Sequence, residues 1–245
     1  TRAGRSAACS RPGTIVVGAG ASEDGSVGEA TVVGRSAAAN NAVAGIVFGG
    51  LSIRTTVVQS AAPVGPWHVV TRAEGNRILR LDGRSAVEVY LTGLPQLLRA
   101  DPLEAIRRTR AAIADADASG PEPPHVVRRL LGADSESGAL VVGDEVLPGS
   151  RFAIAVSDPV EARQRFARAL DDFASGGRLA GALYLDSVER GESLYGIADL
   201  DSAYLRQVLG DVAFAGFFSG VEIAPLAGRN RFHQASGVLV GFCED

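Results

Sequence analysis

The sequence predicts an α+β protein with antiparallel or mixed sheets that are built from hairpins and layered against helices. Three observations predict this class. Short β-branched runs end in Gly, Asp or Pro turns, apolar residues show helical spacing in only a few segments, and those segments do not alternate regularly with the strands. Regular alternation would have predicted a doubly wound parallel sheet. A chain of 245 residues that is 46% hydrophobic is long enough to bury a sizeable core.

The first third of the chain is predicted to be rich in strands. Thr14 to Gly18 and Ala30 to Gly34 are short β-branched runs that are separated by a turn-rich loop. Alternating apolar residues around glycine-containing turns then predict two hairpins. The predicted hairpins pair Ala42 to Phe48 with Ser52 to Gln59, and His68 to Arg72 with Arg77 to Leu81.

Four helices are predicted from apolar stripes and from their starting residues. Ser85 opens the first helix with Glu88 three residues later, which is the pattern of a capping box. Pro102 and Pro159 stand at the first positions of the second and third helices, where a missing N–H costs nothing. The helices are predicted at 85–98, 101–115, 159–174 and 201–209.

The second half of the chain is predicted to contain a boundary and further strands. Ser119 to Pro124 (SGPEPP) is the best candidate for a linker, and it would separate residues 1–118 from residues 125–245. The next three strands are predicted to form an antiparallel meander. Strands are predicted at 126–131, 139–142, 151–156, 180–185, 213–218 and 232–242.

Charge and composition exclude several classes of function. A formal net charge of −4 leaves no basic surplus for nucleic acid or for an anionic membrane surface. The longest uncharged run, Ser36 to Ile53, contains too many polar residues and glycines for a membrane span. Cys9 and Cys243 cannot form a disulfide framework, and no export signal is evident, so a cytoplasmic protein is expected. The scattered histidines predict no metal site, and no cofactor is expected.

Polar side chains cluster after two apolar strands in the last third of the chain. Ser187 to Ser193 follows one predicted strand and Ser219 to Pro225 follows another, so we expect the two strand ends to converge. A fixed cation, a carboxylate and neutral hydrogen-bonding groups would suit the two charged ends of an amino acid, and Arg190→Ala should then weaken ligand binding more than folding. A purely structural ion pair of Arg190 with Glu222 is the alternative. The predicted ligand-binding residues are Arg190, Tyr195, Glu222, Asn230 and His233.

Two enzymatic interpretations are weaker. A hydrolase of the N-terminal-nucleophile type would use Thr1, whose own amine could act as the base, and this is the alternative function. A dinucleotide-binding loop after Val17 would need a third glycine where Glu23 stands, so that interpretation is disfavoured. We expect no bond-making chemistry.

Short motifs in a fixed order carry a resemblance to one known family. They are PVG (63–65), VTR (70–72), GN (75–76) and LDG (81–83) in the earlier half, and GALY (181–184), RG (190–191), SLYG (193–196), AGFF (215–218) and EIAP (222–225) in the later half. Over about Thr14 to Phe242, the chain resembles the FIST sensory domain, with the end of the family's N-terminal part followed by its C-terminal part.

The resemblance implies a ligand-sensing domain of a bacterial signal-transduction system that binds a small polar metabolite, such as an amino acid. Such domains occur alone or joined to signalling output domains, so the implied partners are the ligand and an output protein or domain. Ser187 stands where a cysteine is frequent in the family, so no cysteine-dependent role is expected. Val221 stands where a glycine precedes Glu222 in the family pattern.

Overall fold

The computed structural model describes residues 14–21, 31–33, 38–40 and 42–244. The chain divides into a central unit, residues 59–163, and a terminal unit that comprises residues 1–58 and 164–245. The predicted α+β class with antiparallel and mixed sheets is confirmed. The alternative nucleophile Thr1, together with Cys9 and Glu23, lies outside the described residues.

Strands outnumber helices in both units. In chain order the strands are β1 (Gly18–Gly20), β2 (Thr31–Val33), β3 (Ala38–Asn40), β4 (Ile53–Gln59), β5 (Ala61–Glu74), β6 (Arg77–Leu81), β7 (Arg84–Ser85), β8 (Thr109–Ala114), β9 (His125–Asp134), β10 (Ala139–Val142), β11 (Arg151–Ser157), β12 (Leu179–Ser187), β13 (Phe214–Ser219), β14 (Val221–Leu226), β15 (Arg229–His233) and β16 (Ser236–Cys243). The helices are α1 (Ala86–Gly93), α2 (Pro102–Arg108), α3 (Pro159–Ser175), α4 (Glu192–Tyr195) and α5 (Leu200–Leu209), with a 3-10 turn at Gln96–Leu98.

The central unit is built on a seven-stranded antiparallel sheet in the order β10-β9-β8-β11-β5-β6-β7. β10 also pairs with β6, so the sheet closes on itself, and Ile78, Leu140 and Phe152 are fully buried. α1 begins after Ser85, whose hydroxyl accepts a hydrogen bond from the Glu88 amide at 3.4 Å. The predicted start of this helix is therefore confirmed.

The terminal unit contains a four-stranded sheet in the order β13-β12-β16-β4. β12 pairs antiparallel with β16 and parallel with β13, which leaves β13 at an edge of this sheet. The predicted apolar stripe of α3, with Phe166, Leu170 and Phe173, packs in one core cluster with Tyr184 and Leu239. β1, β14 and β15 form a separate antiparallel sheet in the order β1-β14-β15.

The predicted helix at 101–115 is wrong in its second half. α2 ends at Arg108, and Thr109 begins β8, which pairs with both β9 and β11. The Thr109 hydroxyl donates to Ala105 O at 2.6 Å and lies 2.8 Å from the Tyr90 hydroxyl, which fixes the bend between helix and strand. Strand pairing on both sides outweighs the weak helical preference of residues 109–114.

The other predicted helices differ less from the structure. α1 is shorter than the predicted 85–98 because Pro95 follows its end, and the residue before a proline is disfavoured in helical conformation. α3 and α5 confirm the predictions at 159–174 and 201–209 within one residue. Asp158 caps α3 by accepting hydrogen bonds from Val160 N and Glu161 N, each at 2.9 Å.

Several predicted strands have different partners in the structure. Residues 42–48 form no regular structure, so the hairpin at 42–59 is wrong, and β4 instead lies beside β16. The hairpin of β5 and β6 is confirmed. β11 lies between β8 and β5, so the predicted meander is wrong in its last pairing. Alternation predicts which face of a strand is buried, but it does not choose the partner strand.

The ends of the chain also depart from the predicted strands. β1 begins at Gly18, where the predicted strand at 14–18 was expected to end, and β2 lies inside the predicted strand at 30–34. The single strand predicted at 232–242 is two strands in different sheets, because Ala235 adopts a φ of +50° and turns the chain. The predicted boundary at 119–124 stays a prediction; these residues connect β8 to β9 within the central unit.

Candidate functional site

The ends of two parallel strands position the polar residues. β12 and β13 run side by side with Ser187 opposite Ser219, so the predicted convergence of the two strand ends is confirmed. After Ser187 the chain turns sharply, and the Arg190 amide donates to Ser187 O at 2.9 Å. Gly191 follows with a φ of +60°, which a residue with a Cβ rarely adopts. Arg190 therefore projects from a tightly constrained turn.

Arg190 is the centre of a buried group of charges and hydroxyls, which we call the Arg190 cluster (Tyr184, Asp186, Arg190, Tyr195 and Asp201). Arg190 is only 1% exposed. Its Nε lies 2.9 Å from Asp186 Oδ1, and its Nη2 lies 2.9 Å from Asp201 Oδ2. Nη2 also donates to the Tyr195 hydroxyl at 2.7 Å. Charge-assisted hydrogen bonds of this length are among the strong ones.

Aromatic side chains complete the surroundings of Arg190. The Tyr184 hydroxyl lies 2.9 Å from Asp201 Oδ2 and 3.2 Å from Asp186 Oδ1, so it donates to the carboxyl pair. The guanidinium carbon lies 5.3 Å from the centroid of the Phe166 ring and 5.7 Å from that of Tyr195. These distances are those of cation–π contacts.

Burial shifts the acid–base equilibria of the cluster. It raises the pKa of Asp186 to about 8, because a carboxyl removed from water disfavours its charged form. Arg190 opposes this rise, whereas Asp201 adds to it by its charge and by a hydrogen bond between the two carboxyls. Burial acts to lower the pKa of Arg190, but its acidic neighbours raise it, so the guanidinium stays charged. Asp186 is therefore mostly protonated at neutral pH.

Two polar atoms of the cluster lack a hydrogen-bond partner among the described residues. Within the part of the chain that the structure describes, Arg190 Nη1 and Asp201 Oδ1 are buried and have no hydrogen-bond partner. Native proteins satisfy most of their buried polar atoms, and leaving one unsatisfied costs about 1–3 kcal/mol. The cluster thus has bonding capacity that its own side chains do not use.

A cavity of about 210 Å³ is lined by Tyr184, Asp186 and Asp201 of the cluster, and we call it the β13 cavity. It touches every residue from Phe214 to Phe218. Successive side chains of a strand point to opposite faces, so a cavity that touches consecutive residues runs along the open edge of β13. The lining residues are Tyr184, Asp186, Gly191, Asp199, Leu200, Asp201, Ser202 and Phe214 to Phe218.

The first turn of α5 lines the β13 cavity. Asp199 precedes α5 with a φ of +58°, and its side chain makes no capping hydrogen bond. The first hydrogen bond of this helix runs from Ala203 N to Asp199 O, so the amides of residues 200–202 have no partner within the helix. Residues 200–202 line the cavity. The cavity is therefore lined both by residues that carry carboxyl groups and by the start of a helix.

The family of the chain follows from two matches. A FIST N domain model matches residues 3–84, and a FIST C domain model matches residues 86–225. The chain belongs to the FIST family. FIST domains are sensory domains of signal transduction. The Arg190 cluster and the β13 cavity lie entirely within the FIST C match.

Relatives of this FIST chain occur in mycobacteria. It is 29% identical over 239 residues to the uncharacterized protein Mb0898c of Mycobacterium bovis. The aligned region covers 96% of this chain and 62% of the relative. It is also 29% identical over 242 residues to the uncharacterized protein MT0656 of Mycobacterium tuberculosis, with 95% of this chain and 62% of the relative covered. The chain thus spans about three-fifths of the length of these curated relatives.

Glu222 of the FIST chain lies in a second buried group, which we call the Glu222 cluster (Ser219, Glu222 and Ser236). The Ser219 and Ser236 hydroxyls donate to its two carboxylate oxygens, each at 2.8 Å. Burial raises the pKa of Glu222, while the two serines and the charge of Arg190 oppose the rise. Arg190 pairs with Asp186 and Asp201, so the alternative of a structural Arg190–Glu222 ion pair is wrong.

Asn230 and His233 of the FIST chain make backbone contacts. Asn230 Oδ1 accepts a hydrogen bond from Val16 N at 3.0 Å, and its Nδ2 donates to Thr14 O at 2.9 Å. His233 is fully buried, and its Nε2 lies 3.1 Å from Ala224 O. A carbonyl oxygen only accepts, so this nitrogen carries the proton.

The structure brings four of the five predicted binding residues together in two separate pairs. Arg190 donates a hydrogen bond to Tyr195, and Glu222 lies opposite His233 in the pairing of β14 with β15. Glu222 is not an ion-pair partner of Arg190; the charge of Arg190 acts only to lower the pKa of Glu222. Among the described residues that line the β13 cavity, none of the five is found, and their role in ligand binding stays a prediction.

Sequence reasoning missed the two acids that bind Arg190. Asp186 follows an apolar strand and stands four residues before Arg190, a spacing that could have indicated a buried pair. Asp201 was predicted only as the start of a helix. Val221, where the family pattern has a glycine, lies in β14, and its φ is not positive. The position therefore needs no glycine in this chain.

Two further features are absent from the described residues. None of their helices is long and apolar enough to cross a membrane. Their His, Cys, Asp and Glu side chains form no group of three or more that could hold a metal ion. In the Arg190 cluster, the guanidinium itself is the cation beside Asp186 and Asp201.

Proposed function

We propose that this FIST chain is a sensor domain that binds a small polar metabolite, in particular an amino acid, in the β13 cavity. One observation carries the proposal: the cavity adjoins a buried charge cluster in which two polar atoms have no partner among the described residues. Ligand-binding sites combine a concave, partly apolar wall with a few convergent polar groups, and the β13 cavity has both.

The size and polarity of the cavity support this class of ligand. Cavities for drug-sized molecules measure about 300–1,000 Å³, and the β13 cavity, at about 210 Å³, is smaller. It therefore suits a compound of amino-acid size better than a nucleotide. Carboxyl oxygens of Asp186 and Asp201 and the first amides of α5 offer acceptors and donors to the two ends of such a molecule.

The proposal includes a signalling partner and no bond-making step. A ligand that binds one conformation better than another shifts the population toward the first, and a signalling output protein or domain would respond to that shift. The groups that meet at the cavity come from β12, β13 and α5, which are separate elements of the terminal unit. Occupancy can therefore change how these elements are held together.

Thermal unfolding in the presence of a panel of amino acids and related metabolites tests the proposal. A ligand at 100 times its Kd stabilises the folded state by about 2.7 kcal/mol, which gives a measurable rise in Tm. Ala215 is exposed and lines the cavity, so Ala215→Trp should fill it at little cost to folding. Ala213 is also exposed but is not among the lining residues, so Ala213→Trp is the matched control.

The expected result is a compound that stabilises the wild type and Ala213→Trp equally and does not stabilise Ala215→Trp. A panel in which no compound raises the Tm would contradict the proposal. Stabilisation that survives in Ala215→Trp would place the binding site elsewhere and would also contradict it.

A further inference from the structure

We propose that the β13 cavity recognises an ammonium group, which binds at Asp186 and Asp201, and that its ligands are amines with an apolar or aromatic side chain. This inference rests on the proposed function and adds the chemical class of the ligand. It differs from the expectation drawn from the sequence, in which Arg190 would bind a ligand carboxylate.

The hydrogen bonds of the two acids point to a missing donor. Asp201 is 4% exposed and lines the cavity; its Oδ2 accepts from Arg190 and Tyr184, and its Oδ1 has no partner among the described residues. An ionised carboxylate only accepts hydrogen bonds, so the group that can satisfy Oδ1 is a donor. A ligand carboxylate has no proton to give and would place another negative charge there.

The count of charges allows a second cation to replace the proton of Asp186. Asp186 and Asp201 are two carboxyls, and Arg190 supplies one positive charge to both. Two carboxyls in contact ionise together only when a second positive charge compensates them. An ammonium group is both a cation and a donor of three hydrogen bonds, so it meets the two requirements at once. Arg190 itself is not among the described residues that line the cavity.

A second part of the cavity lining is aromatic. Phe214, Phe217 and Phe218 line it, and Phe217 and Phe218 are 57% and 55% exposed. Burial of exposed aromatic surface against an apolar side chain is favourable. Aromatic rings also attract a nearby cation. An amine with an apolar body therefore matches both parts of the cavity lining.

Proton release gives the inference a distinctive signature. The groups that face Asp186 are Tyr184 from its own strand, Arg190 from the following turn and Asp201 from α5. Burial raises the pKa of Tyr184 far above neutrality, and Arg190 stays charged, so Asp186 is the group that changes. At pH 7, an acid with a pKa of about 8 is about nine-tenths protonated. A bound ammonium favours the ionised carboxyl, and the proton passes to the buffer.

Three probes that differ only in their charged ends test the inference. Phenylalanine has both ends, 2-phenylethylamine lacks the carboxylate, and N-acetylphenylalanine lacks the ammonium group. Calorimetric titration at pH 7, in two buffers of different ionisation enthalpy, measures the affinity and counts the protons released. We expect both amines to bind at least about tenfold more tightly than the acetylated probe, with about one proton released for each bound molecule.

Two matched substitutions locate the effect. Asp186→Asn keeps the acceptor and donor pattern of a protonated acid but cannot ionise, so it should bind the amines about tenfold more weakly and release no proton. Asp211→Asn removes an exposed carboxyl that is not among the cavity-lining residues described. This control should change the affinity less than about threefold and leave proton release unchanged.

Several outcomes would overturn the inference. The inference is wrong if N-acetylphenylalanine binds as tightly as the two amines, or if proton release persists in Asp186→Asn. Either result would show that Asp186 does not bind the ammonium group. In that case, loss of binding in Ala215→Trp would still support a ligand site in the cavity. Failure of both amines to bind overturns the inference directly, whereas the proposed function fails only when no metabolite of the larger panel binds.

Discussion

The Arg190 cluster and the Glu222 cluster are two ways of burying a carboxyl in the same unit. Asp186 is 4% exposed and Glu222 is fully buried, and burial raises the pKa of both. Serine hydroxyls satisfy both oxygens of Glu222, whereas the Arg190 cluster keeps two buried atoms without partners among the described residues. Burial and a shifted pKa therefore do not mark a binding site by themselves. The proposed ligand site rests on unused bonding capacity beside a cavity.

Removal of the cation should have the largest effect on stability. Arg190→Ala leaves Asp186 and Asp201 buried without their counter-charge, and breaking a buried ion pair in this way costs about 3–5 kcal/mol. The sequence alone suggested that the main cost would fall on ligand binding; the 1% exposure of Arg190 places it on folding instead. Urea unfolding at pH 7 measures the loss.

The control for this substitution is another arginine in an ion pair. Arg178 pairs with Glu244 at 2.9 Å, but its side chain is 88% exposed. Arg178→Ala should therefore cost only about 0–1 kcal/mol. A loss for Arg190→Ala that is no larger than this would mean that the cluster does not need its cation.

The next-largest effect is expected in the pH dependence of the free energy of unfolding, which should distinguish the Arg190 cluster from the Glu222 cluster. The folded-state pKa of Asp186, about 8, lies above its ordinary value of 3.8, so the folded chain holds this proton more tightly than the unfolded chain does. The stabilisation is complete below the ordinary value and is lost as the pH rises toward 8, with a slope of up to about 1.4 kcal/mol per pH unit. Asp186→Asn should lack this slope.

Urea titrations of the wild type and Asp186→Asn between about pH 5 and pH 8 measure the difference. The variant should gain stability relative to the wild type as the pH rises. Two parallel curves would show that Asp186 ionises in the folded state as easily as it does in water.

Substitution of Glu222 should lower the free energy of unfolding and leave ligand binding unchanged. Glu222→Gln exchanges one accepting oxygen for a donating nitrogen, so one serine hydroxyl must turn or lose its partner, at a cost of about 1–3 kcal/mol. Binding of 2-phenylethylamine should be unchanged, since Glu222 is not among the cavity-lining residues described. Glu136→Gln, at an exposed turn, is the control for unfolding. Weakened amine binding in Glu222→Gln would join the two clusters into one site.

The smallest effect is expected at Tyr195. Tyr195→Phe removes the acceptor of one Arg190 hydrogen bond but keeps the ring beside the guanidinium, so it should cost about 0.5–1.5 kcal/mol. Tyr204→Phe is the control, because Tyr204 is another partly buried tyrosine, whose ring packs on Phe166. Equal unfolding free energies for the two variants would show that the hydroxyl of Tyr195 contributes nothing to the Arg190 cluster.

Local signals made much of the fold predictable. Ser85, Gly75 and Asp158 act through hydrogen bonds or backbone angles of their own neighbourhood, and the elements that they begin or join are found where expected. Residues 42–48 and 109–114 show the limit of such signals. Their patterns fit more than one conformation, and the choice depends on strands that are distant in sequence.

The candidate site was predictable only in outline. The end of an apolar strand identified Arg190, but several carboxyls follow it, and nothing local distinguishes Asp201 from Glu222 as its partner. The distinction is made by the path from β12 through α5 to β13, which carries Asp201 back to the turn. Cavities are equally hard to predict from local sequence, because their shape depends on how the surrounding elements pack.

The open edge of β13 has a consequence for the behaviour of the protein in solution. Two neighbouring phenylalanines, each more than half exposed, stand on a strand whose outer hydrogen-bonding groups have no partner strand among the described residues. Such an edge is a template for pairing with another chain and promotes aggregation. A molecule bound along this edge would block such pairing. The ligand-bound protein should therefore reach a higher concentration than the ligand-free protein before light scattering rises.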